Sequence, residues 1–241
     1  MNYFRHFPVV NYKFGDTNIE ATIENIAIYA DVLDQIANAT TAYEDYYIQN
    51  GQRMDQVTLD LYDAPDYMFT ILLLNPTLRE CGWPVSEDTA YNDAISKYTH
   101  KVITVRNTLT DKMAVGQTIS GLNSGASDVI THRRLDLGQI WVEGGSVSFV
   151  NGETITSQNA QNQFETATIV SAQNQYNAVH HYENADKEWV DIDPRVGPGA
   201  QVTPITYLDF YMSKNEELKN IRVIKASIIN DVVESFFEAI K

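Results

Sequence analysis

Histidines and carboxylates come close together in the sequence between residues 180 and 193. Adjacent side chains of a strand point to opposite faces, so neighbouring histidines rarely share one metal ion. Two aspartates flanking Ile192 lack the glycine and the other oxygen ligands of a calcium loop. We therefore interpret the cluster as a hydrogen-bonded loop anchor or a polar interface contact. Its members are His180, His181, Glu183, Asp186, Asp191 and Asp193.

Other arrangements that could support catalysis are weak. Glu44, Asp45 and Asp55 could suggest a glycosidase pair, but nothing in the sequence places two of them across a sugar cleft. The sequence contains neither a Gly-x-Ser-x-Gly elbow nor a phosphate-binding Gly-x-x-x-x-Gly-Lys-Ser/Thr loop, and it lacks His-Glu-x-x-His. We therefore predict no catalytic residues, no metal and no cofactor.

The charge of the chain is strongly acidic, with a formal net charge of −15 over 241 residues. Most of this charge lies in residues 1–100, which carry fifteen acidic and five basic groups. An acidic chain repels phosphate backbones and anionic lipids, so we expect neither nucleic-acid nor membrane binding. The charge favours solubility alone, or else an acidic first half that meets a basic protein surface.

The single cysteine, Cys81, excludes an internal disulfide framework. It precedes Trp83-Pro84, where a small buried apolar residue is expected rather than a reactive thiol. We see no secretory signal, and the longest apolar run, Ile71–Leu74, is far shorter than the ~20 residues that span a bilayer. We expect a soluble protein made in a reducing compartment.

The stretch from Tyr43 to Pro84 predicts a strand and two helices around which the chain is organised. Aromatic and β-branched residues at 46–48 favour a strand. Apolar residues at 54, 57 and 61 predict an amphipathic helix over Arg53–Tyr62. A second, largely apolar helix is predicted over Tyr67–Leu74, with Asp63 as its cap and Asn75-Pro76 as its end.

On either side of this stretch, helical spacing predicts further helices. An aromatic N-terminal arm either folds back on the core or docks on a neighbour, and Ile19–Ala37 is predicted to form a helix. After Trp83-Pro84, Ser86 begins another helix, in which Tyr91, Ile95 and Tyr98 form the buried side.

Residues 101–175 predict a small antiparallel β-barrel or sandwich. Gly116-Gln-Thr-Ile-Ser120 is repeated 36 residues later as Gly152-Glu-Thr-Ile-Thr156, and each copy leads to a second strand. Residues 139–142 and 147–150 flank Glu143-Gly144-Gly145, which indicates a hairpin.

Residues 176–241 predict irregular chain as far as Tyr211, followed by a strand over Ile221–Lys225 and an amphipathic helix. The helix has a wide apolar face that includes Phe236 and Phe237, which indicates either core packing or insertion into a partner's groove. The predicted class is α+β, with domains at 1–100, 101–175 and 176–241.

A likeness to known proteins is carried by Tyr46 and Ile48, Gly51, Asn75, Trp83-Pro84, Lys97-Tyr98, and an opening Tyr3-Phe4, Phe7-Pro8 and Tyr12. The stretch from Tyr43 to Pro84 resembles a LysM module. More narrowly, roughly residues 1–100 resemble the baseplate wedge protein 53 family of T4-like contractile-tailed phages. The last ~60 residues share a weaker likeness. The sequence departs from the family at Met54, where proline is usual, and at Phe69, where tryptophan is usual.

This resemblance implies a structural protein of the virion's tail baseplate, assembled in the host cytoplasm. It would clamp neighbouring wedges around the central hub, in multiple copies, through contacts with other wedge and hub proteins. The alternative is a LysM-type module that binds peptidoglycan or N-acetylglucosamine chains. The candidate partner-binding residues are aromatic: Tyr3, Phe4, Phe7, Tyr62, Tyr67, Phe69, Trp83, Phe236 and Phe237.

Overall fold

The structure is a computed structural model that describes residues 8–16, 19–25 and 41–239. Helices and strands are mixed along the chain, which confirms the predicted α+β class. The chain divides into two compact units: unit 1 comprises Met1–Glu87 and Asn215–Lys241, and unit 2 comprises Asp88–Lys214. Within the described ranges, no helix is long and apolar enough to cross a membrane.

The strands and helices are numbered separately in chain order. The strands are β1 (Val9–Lys13), β2 (Glu20–Glu24), β3 (Tyr43–Tyr47), β4 (Lys101–Val105), β5 (Thr118–Gly121), β6 (Ser127–Arg134), β7 (Gln139–Val142), β8 (Thr154–Gln158), β9 (Phe164–Asn174), β10 (Val179–Glu183), β11 (Trp189–Val190), β12 (Thr203–Thr206) and β13 (Asn220–Ile224). The α-helices are α1 (Met54–Tyr62), α2 (Met68–Leu74), α3 (Pro76–Cys81), α4 (Glu87–Lys97), α5 (Tyr207–Glu217) and α6 (Ile229–Ala239). Short 3₁₀ helices span Pro65–Tyr67 and Gln175–Asn177.

Unit 1 is closed by two strands that lie far apart in the sequence. β3 pairs with β13 in antiparallel register, from Tyr43 opposite Ile224 to Tyr47 opposite Asn220. Both predicted helices of the Tyr43–Pro84 stretch are present, and their apolar residues pack with those of the sheet. The buried residues of this core are Ile48, Val57, Ile71, Leu78, Ile221 and Val223.

The ends of the helices differ from the prediction at two residues. Asp63 does not cap the second helix; it ends α1 in the left-handed conformation (φ 54°), and its N–H donates to the Leu59 carbonyl. Asn75 ends α2 as predicted, but the chain continues directly into α3, with Pro76 at its first position. Proline is tolerated there because a first-turn N–H has no partner within the helix.

The predicted helix over Ile19–Ala37 is wrong where the structure describes it. Residues 20–24 form β2, and residues 26–37 lie outside the described residues. Apolar Ile19, Ala21 and Ile23 alternate with polar residues, which is the period of a strand. The helical interpretation was based on the spacing of residues from 26 onward.

Two other predictions about burial in this part of the chain are also wrong. Cys81, expected to be buried, is exposed at the end of α3, where Leu78 provides the buried side chain. Tyr91 is exposed on α4, whose buried residues are Ala90 and Ala94. In both short helices a few small or aliphatic residues fill the inward side.

Six strands of unit 2 close into an antiparallel barrel in the order β4-β7-β6-β5-β8-β9. The two copies of the sequence repeat begin β5 and β8, which are neighbours in the barrel. Gly116 and Gly152 both have positive φ, and their N–H groups donate to the carbonyls of Ile130 and Ile169. The repeat is therefore also a repeat of backbone geometry.

The remainder of unit 2 corrects two sequence predictions. Residues 147–150 form no strand, so the hairpin after β7 is wrong; β7 pairs instead with β4 and β6. The stretch 176–211 is more regular than expected, since it contains a sheet of order β11-β10-β12 and the start of α5. Pro204 lies on β12, an edge strand, where a missing N–H is tolerated.

Candidate interaction site

The aromatic residues predicted to bind partners fall into three groups. Tyr3, Phe4 and Phe7 lie outside the described residues. The Phe69 ring lies 5.7 Å from the Phe236 ring and 5.8 Å from the Phe237 ring, measured between centroids. Phe236 is only 1% exposed. We call these three the phenylalanine cluster; it packs α6 against α2 within unit 1.

The predicted tyrosines and tryptophan also make contacts within unit 1. The Tyr62 and Tyr67 rings meet edge to face with centroids 5.6 Å apart. The Tyr62 hydroxyl donates to the Ile224 carbonyl at 2.7 Å, and burial raises the pKa of Tyr62 to about 12. The Tyr67 hydroxyl donates to Asn230 Oδ1 at 2.6 Å. These rings thus link α1 and the 3₁₀ helix that precedes α2 to β13 and α6.

Trp83 lies in the same unit but belongs to the core around α1. Its indole N–H donates to the Gln52 carbonyl at 2.8 Å, and its ring packs against the buried residues of that core. All the aromatic residues that were predicted to bind partners and that the structure describes therefore pack within unit 1. Their role as anchors for a partner stays a prediction.

The clearest exposed apolar surface in unit 1 is the β1–β2 hairpin, which forms a sheet of its own. In its register Val10 faces Ile23 and Tyr12 faces Ala21. Side chains of a strand alternate between the two faces, so one face collects only apolar residues. We call it the apolar face of the hairpin; its residues are Val10, Tyr12, Phe14, Ile19, Ala21 and Ile23.

The side chains of this apolar face are largely open to solvent. Tyr12 and Phe14 are each 50% exposed, and their rings meet edge to face at 5.1 Å. Ile19 is 64% exposed. A folded monomer rarely leaves a contiguous apolar surface open, and such surfaces commonly mark protein contacts. This face is therefore our candidate interaction site.

The opposite face of the hairpin is polar. Thr22 Oγ1 donates to Asn11 Oδ1 at 3.1 Å, and Lys13 lies opposite Glu20 in the register. Val9, whose side chain is exposed, is the one apolar residue among the described positions of this polar face. The hairpin is thus amphipathic, as a strand pair is when it is covered on one side only.

Sequence reasoning missed this face although the signal was present. Apolar residues alternate with polar ones at 10, 12 and 14 and again at 19, 21 and 23. The first run was interpreted as an irregular aromatic arm and the second as the start of a helix. Counting matches to period two over both runs would have found the hairpin.

The histidine cluster forms a polar contact within unit 2. His180 Nδ1 and His181 Nδ1 lie 2.9 Å apart, and His181 Nε2 lies 3.0 Å from Glu183 Oε1. Burial, together with the nearby His181 and Arg134 side chains, lowers the pKa of His180 to about 4. Asp193 instead pairs with Arg195. No group of three or more metal-ligating side chains was found among residues 8–16, 19–25 and 41–239.

Comparison with protein-family models gives a match to part of the chain. A family model described as base plate wedge protein 53 matches residues 3–109. The matched range contains the β1–β2 hairpin, β3 and the helices α1–α4. No curated protein matches the chain.

Proposed function

We propose, from the match of residues 3–109 to the base plate wedge protein 53 family model, that the chain is a structural subunit of a phage tail baseplate. Its role would be to hold neighbouring wedges together around the central hub by protein–protein contacts. Such contacts need an exposed surface that a partner can bury. The observation that carries the proposal is the apolar face of the hairpin, which lies inside the matched range.

The physical argument rests on the cost of leaving this face in water. An isolated two-stranded hairpin is at best marginally stable and gains stability when its apolar side is covered. Burial of apolar area contributes about 25 cal/mol per Å². Exposed tyrosine and phenylalanine side chains are also of the type that anchors interfaces. A neighbouring baseplate protein that covers Tyr12, Phe14 and Ile19 would supply that stabilisation.

The charge of the chain fits the same proposal. With a net charge of −15, the chain is poorly suited to nucleic acid or an anionic membrane. A protein partner with basic groups around an apolar centre would complement it, and long-range attraction would speed their association. We place the protein in the virion, at the tail baseplate, after assembly in the host cytoplasm.

The alternative function is binding of peptidoglycan or N-acetylglucosamine chains by the LysM-like stretch. The arrangement of a strand, two helices and a returning strand, β3-α1-α2-β13, is the observation that favours it. The returning strand lies near the other end of the chain, and no hydrolase motif accompanies it. The wedge proposal is therefore preferred.

The experiment that tests the proposal follows the tagged full-length chain in cells infected with the phage that encodes it. Lysates are separated by gradient sedimentation, and the chain is located by immunoblot. The test variant carries Tyr12→Thr and Ile23→Thr on the apolar face. The matched control carries Asn11→Ser and Thr22→Ser on the polar face. We expect the wild-type chain and the control in baseplate-sized fractions, and the test variant in slowly sedimenting fractions.

Two results would contradict parts of this proposal. Normal incorporation of the test variant would remove the hairpin from the interface. A wild-type chain that never enters a tail assembly, but is retained on purified peptidoglycan and released by soluble chitin fragments, would replace the wedge role with the glycan-binding alternative.

A further inference from the structure

The β3–β13 sheet of unit 1 has two outer edges, and the hydrogen bonds between the strands show which backbone groups form them. The Ile48 N–H donates to the Lys219 carbonyl at one end of the pair, and the Lys225 N–H donates to the Ala42 carbonyl at the other. Backbone groups of an antiparallel strand point alternately toward the partner strand and away from it. Residues 43, 45 and 47 therefore form the outer edge of β3, and residues 220, 222 and 224 form that of β13.

The outer edge of β13 is closed by side chains of the same unit. Asn75 Nδ2 donates to the Arg222 carbonyl, and Asn75 Oδ1 accepts from the Arg222 N–H, both at 2.8 Å. The Tyr62 hydroxyl donates to the Ile224 carbonyl at 2.7 Å. A further strand could pair along this edge only by displacing both side chains.

The outer edge of β3 has no comparable cover. The backbone N–H and carbonyl groups of Tyr43 and Asp45 have no hydrogen-bond partner within residues 8–16, 19–25 and 41–239. The Tyr47 carbonyl accepts a single hydrogen bond, from the Gln49 side chain at 3.3 Å. Asp45 is exposed, and Tyr47 is 43% exposed. Unpaired backbone groups along a strand edge are a template on which another extended segment can pair.

The side chains of β3 restrict which segment can pair with it. Glu44 and Asp45 are both exposed, and neither forms a salt bridge with any described residue. Arg222 lies opposite Asp45 in the register, but its guanidinium lies over the Tyr43 ring, 5.0 Å from the centroid. Residues directly opposite in an antiparallel pair are about 4.5–5.5 Å apart, and like charges there are destabilising. A second copy of β3 would therefore be repelled, whereas a basic and aromatic strand would be complementary.

Residues 3–7 of the same chain have this composition. The segment lies outside the described residues; it reads Tyr-Phe-Arg-His-Phe and contains no acidic side chain. Its aromatic residues favour an extended strand, and Pro8 restricts Phe7 to extended backbone. If Arg5 is set opposite Asp45 in antiparallel register, aromatic residues face aromatic ones and the second basic residue faces an acidic one. The other pairs are then Tyr3 with Tyr47, Phe4 with Tyr46, His6 with Glu44 and Phe7 with Tyr43.

The connection between this segment and β3 is long enough for pairing within one chain. The hairpin holds its two ends together, since the Asn25 N–H donates to the Pro8 carbonyl at 2.8 Å. The chain from Asn25 to Tyr43 spans up to about 60 Å when extended. A compact unit of about 100 residues has a radius of gyration of only about 13 Å. Such a tether gives the segment a high effective concentration at β3, which favours its own chain over a second copy.

We propose that residues 3–7 add to the outer edge of β3 as a third strand of the unit 1 sheet, antiparallel to β3 and with Arg5 opposite Asp45. Main-chain hydrogen bonds to residues 43, 45 and 47 supply the stability, and the matched side chains set the register. Because Pro8 and β1 follow Phe7 directly, the pairing also holds the hairpin next to this sheet. The inference does not rest on the baseplate role proposed above.

Hydrogen exchange measures whether the edge is covered. Amide exchange in ¹⁵N-labelled full-length protein is followed by NMR and compared with a variant that lacks residues 2–7. We expect the Tyr43 and Asp45 amides to exchange at least about tenfold faster in the deletion variant, because there they face water. The Glu44 and Tyr46 amides, which point toward β13, are the internal control and should not change.

A charge reversal in the full-length chain tests the same contact without shortening it. Arg5→Glu with His6→Glu places like charges opposite Asp45 and Glu44. We expect this variant to lose the protection of the Tyr43 and Asp45 amides as the deletion does. Arg5→Lys keeps the positive charge and should retain most of the protection.

A disulfide tests the register and identifies the chain that supplies the strand. In a Cys81→Ser background, His6→Cys with Glu44→Cys places the thiols at directly opposite positions, with Cα atoms about 4.5 Å apart. The matched control, Arg5→Cys with Glu44→Cys, places them on opposite faces of the sheet. We expect mild oxidation to form a disulfide within one chain for the first pair and none for the control, as measured by non-reducing electrophoresis and peptide mass spectrometry. If the deletion variant unfolds, this pair decides the question alone.

Three results would overturn the proposal. Equally fast exchange of the Tyr43 and Asp45 amides in the full-length and deleted proteins would show an open edge, protected from association only by its charges. Slow exchange in both proteins would assign the cover to another segment. A disulfide that joins two chains would assign the third strand to a second copy.

Discussion

The phenylalanine cluster and the apolar face of the hairpin use the same kinds of residue in the same unit, with opposite results. Phe236 is almost completely buried between Phe69 and Phe237, whereas Tyr12 and Phe14 remain half exposed. The sequence singled out the cluster as a contact surface for partners and missed the second strand of the hairpin. Aromatic content alone therefore does not show which rings are exposed, because that depends on whether the chain itself covers them.

The substitution expected to have the largest effect on stability is Phe236→Ala. Removal of a fully buried phenylalanine leaves a cavity, so we expect a loss of about 3–5 kcal/mol in the free energy of unfolding. Urea denaturation followed by circular dichroism measures it. The control is Phe164→Ala in unit 2, where the ring is 79% exposed and the change should stay within about 0.5 kcal/mol. Equal losses for the two variants would contradict the assignment of Phe236 to a core.

A second test extends the comparison to a buried charge that the chain satisfies by itself. The Glu153 carboxylate accepts hydrogen bonds from Asn123 N, Ser124 N, Ser124 Oγ and Val150 N at 2.6–3.1 Å. Burial alone would raise the pKa of Glu153, but the hydrogen bonds from Val150, Ser124 and Asn123 together lower it below its ordinary value. Because the folded state favours the ionised form, Glu153 stabilises the fold at neutral pH.

We expect Glu153→Gln to lose about 2 kcal/mol of unfolding free energy at pH 7. Stabilisation from a lowered pKa is complete above the unfolded value of about 4.3 and is lost as pH falls through the folded value. The difference between wild type and variant should therefore shrink below about pH 4. Denaturation at several pH values checks this, with exposed Glu143→Gln as the control. A difference that stays constant down to pH 3 would argue against the lowered pKa.

The third test concerns how unit 1 is closed. Asn75 Nδ2 donates to the carbonyls of Ile71 and Arg222, and its Oδ1 accepts from the Arg222 N–H at 2.8 Å. One side chain thus joins the end of α2 to β13. Asn75→Ala should cost about 1–2 kcal/mol by denaturation, because it breaks all three hydrogen bonds. Asn75→Asp keeps the acceptor and should cost less; an Asp variant as unstable as the Ala variant would count against this role.

Sequence patterns predicted β3, α1, α2 and β13 of unit 1 but not the pairing of the two strands. The spacing of Met54, Val57 and Leu61 indicated α1, and β-branched residues indicated β13. Nothing local in β3 reveals that its partner begins at residue 220, since sequence spacing carries no record of which distant strand completes a sheet. The pairing is decided by shared burial of residues such as Ile48 and Ile221.

The hairpin and the contacts of the histidine cluster escaped prediction for a different reason. In the hairpin, the period-two pattern was short and was divided by a turn around Gly15, so it was interpreted as two unrelated segments. In unit 2, His180 and His181 were noticed as potential ligands, but their stacking with Trp189 and Phe210 depends on the pairing of β10 with β11 and on the position of α5. Such contacts exist only once the sheet has formed.

The last test compares an exposed and a buried apolar residue directly, because the same Ile→Thr substitution can be made at both. The expected change at the exposed residue is the smallest of the series. Ile23 on β2 and Ile221 on β13 are isoleucines in two-stranded sheets of the same unit, one exposed and one buried. Threonine keeps the β-branched shape but introduces a hydroxyl. Ile221→Thr should cost about 2–3 kcal/mol, because it removes buried apolar volume and leaves the hydroxyl in the core.

Ile23→Thr should change the free energy of unfolding of the isolated chain by no more than about 0.5 kcal/mol, because Ile23 is already 40% exposed to solvent. The two denaturation curves, recorded side by side, measure the contrast directly. If Ile23→Thr were as destabilising as Ile221→Thr, the hairpin would be part of the core of unit 1 in solution. A neutral result would mean that the fold does not require these apolar side chains. A requirement for them in baseplate assembly would then have to come from another protein that covers them.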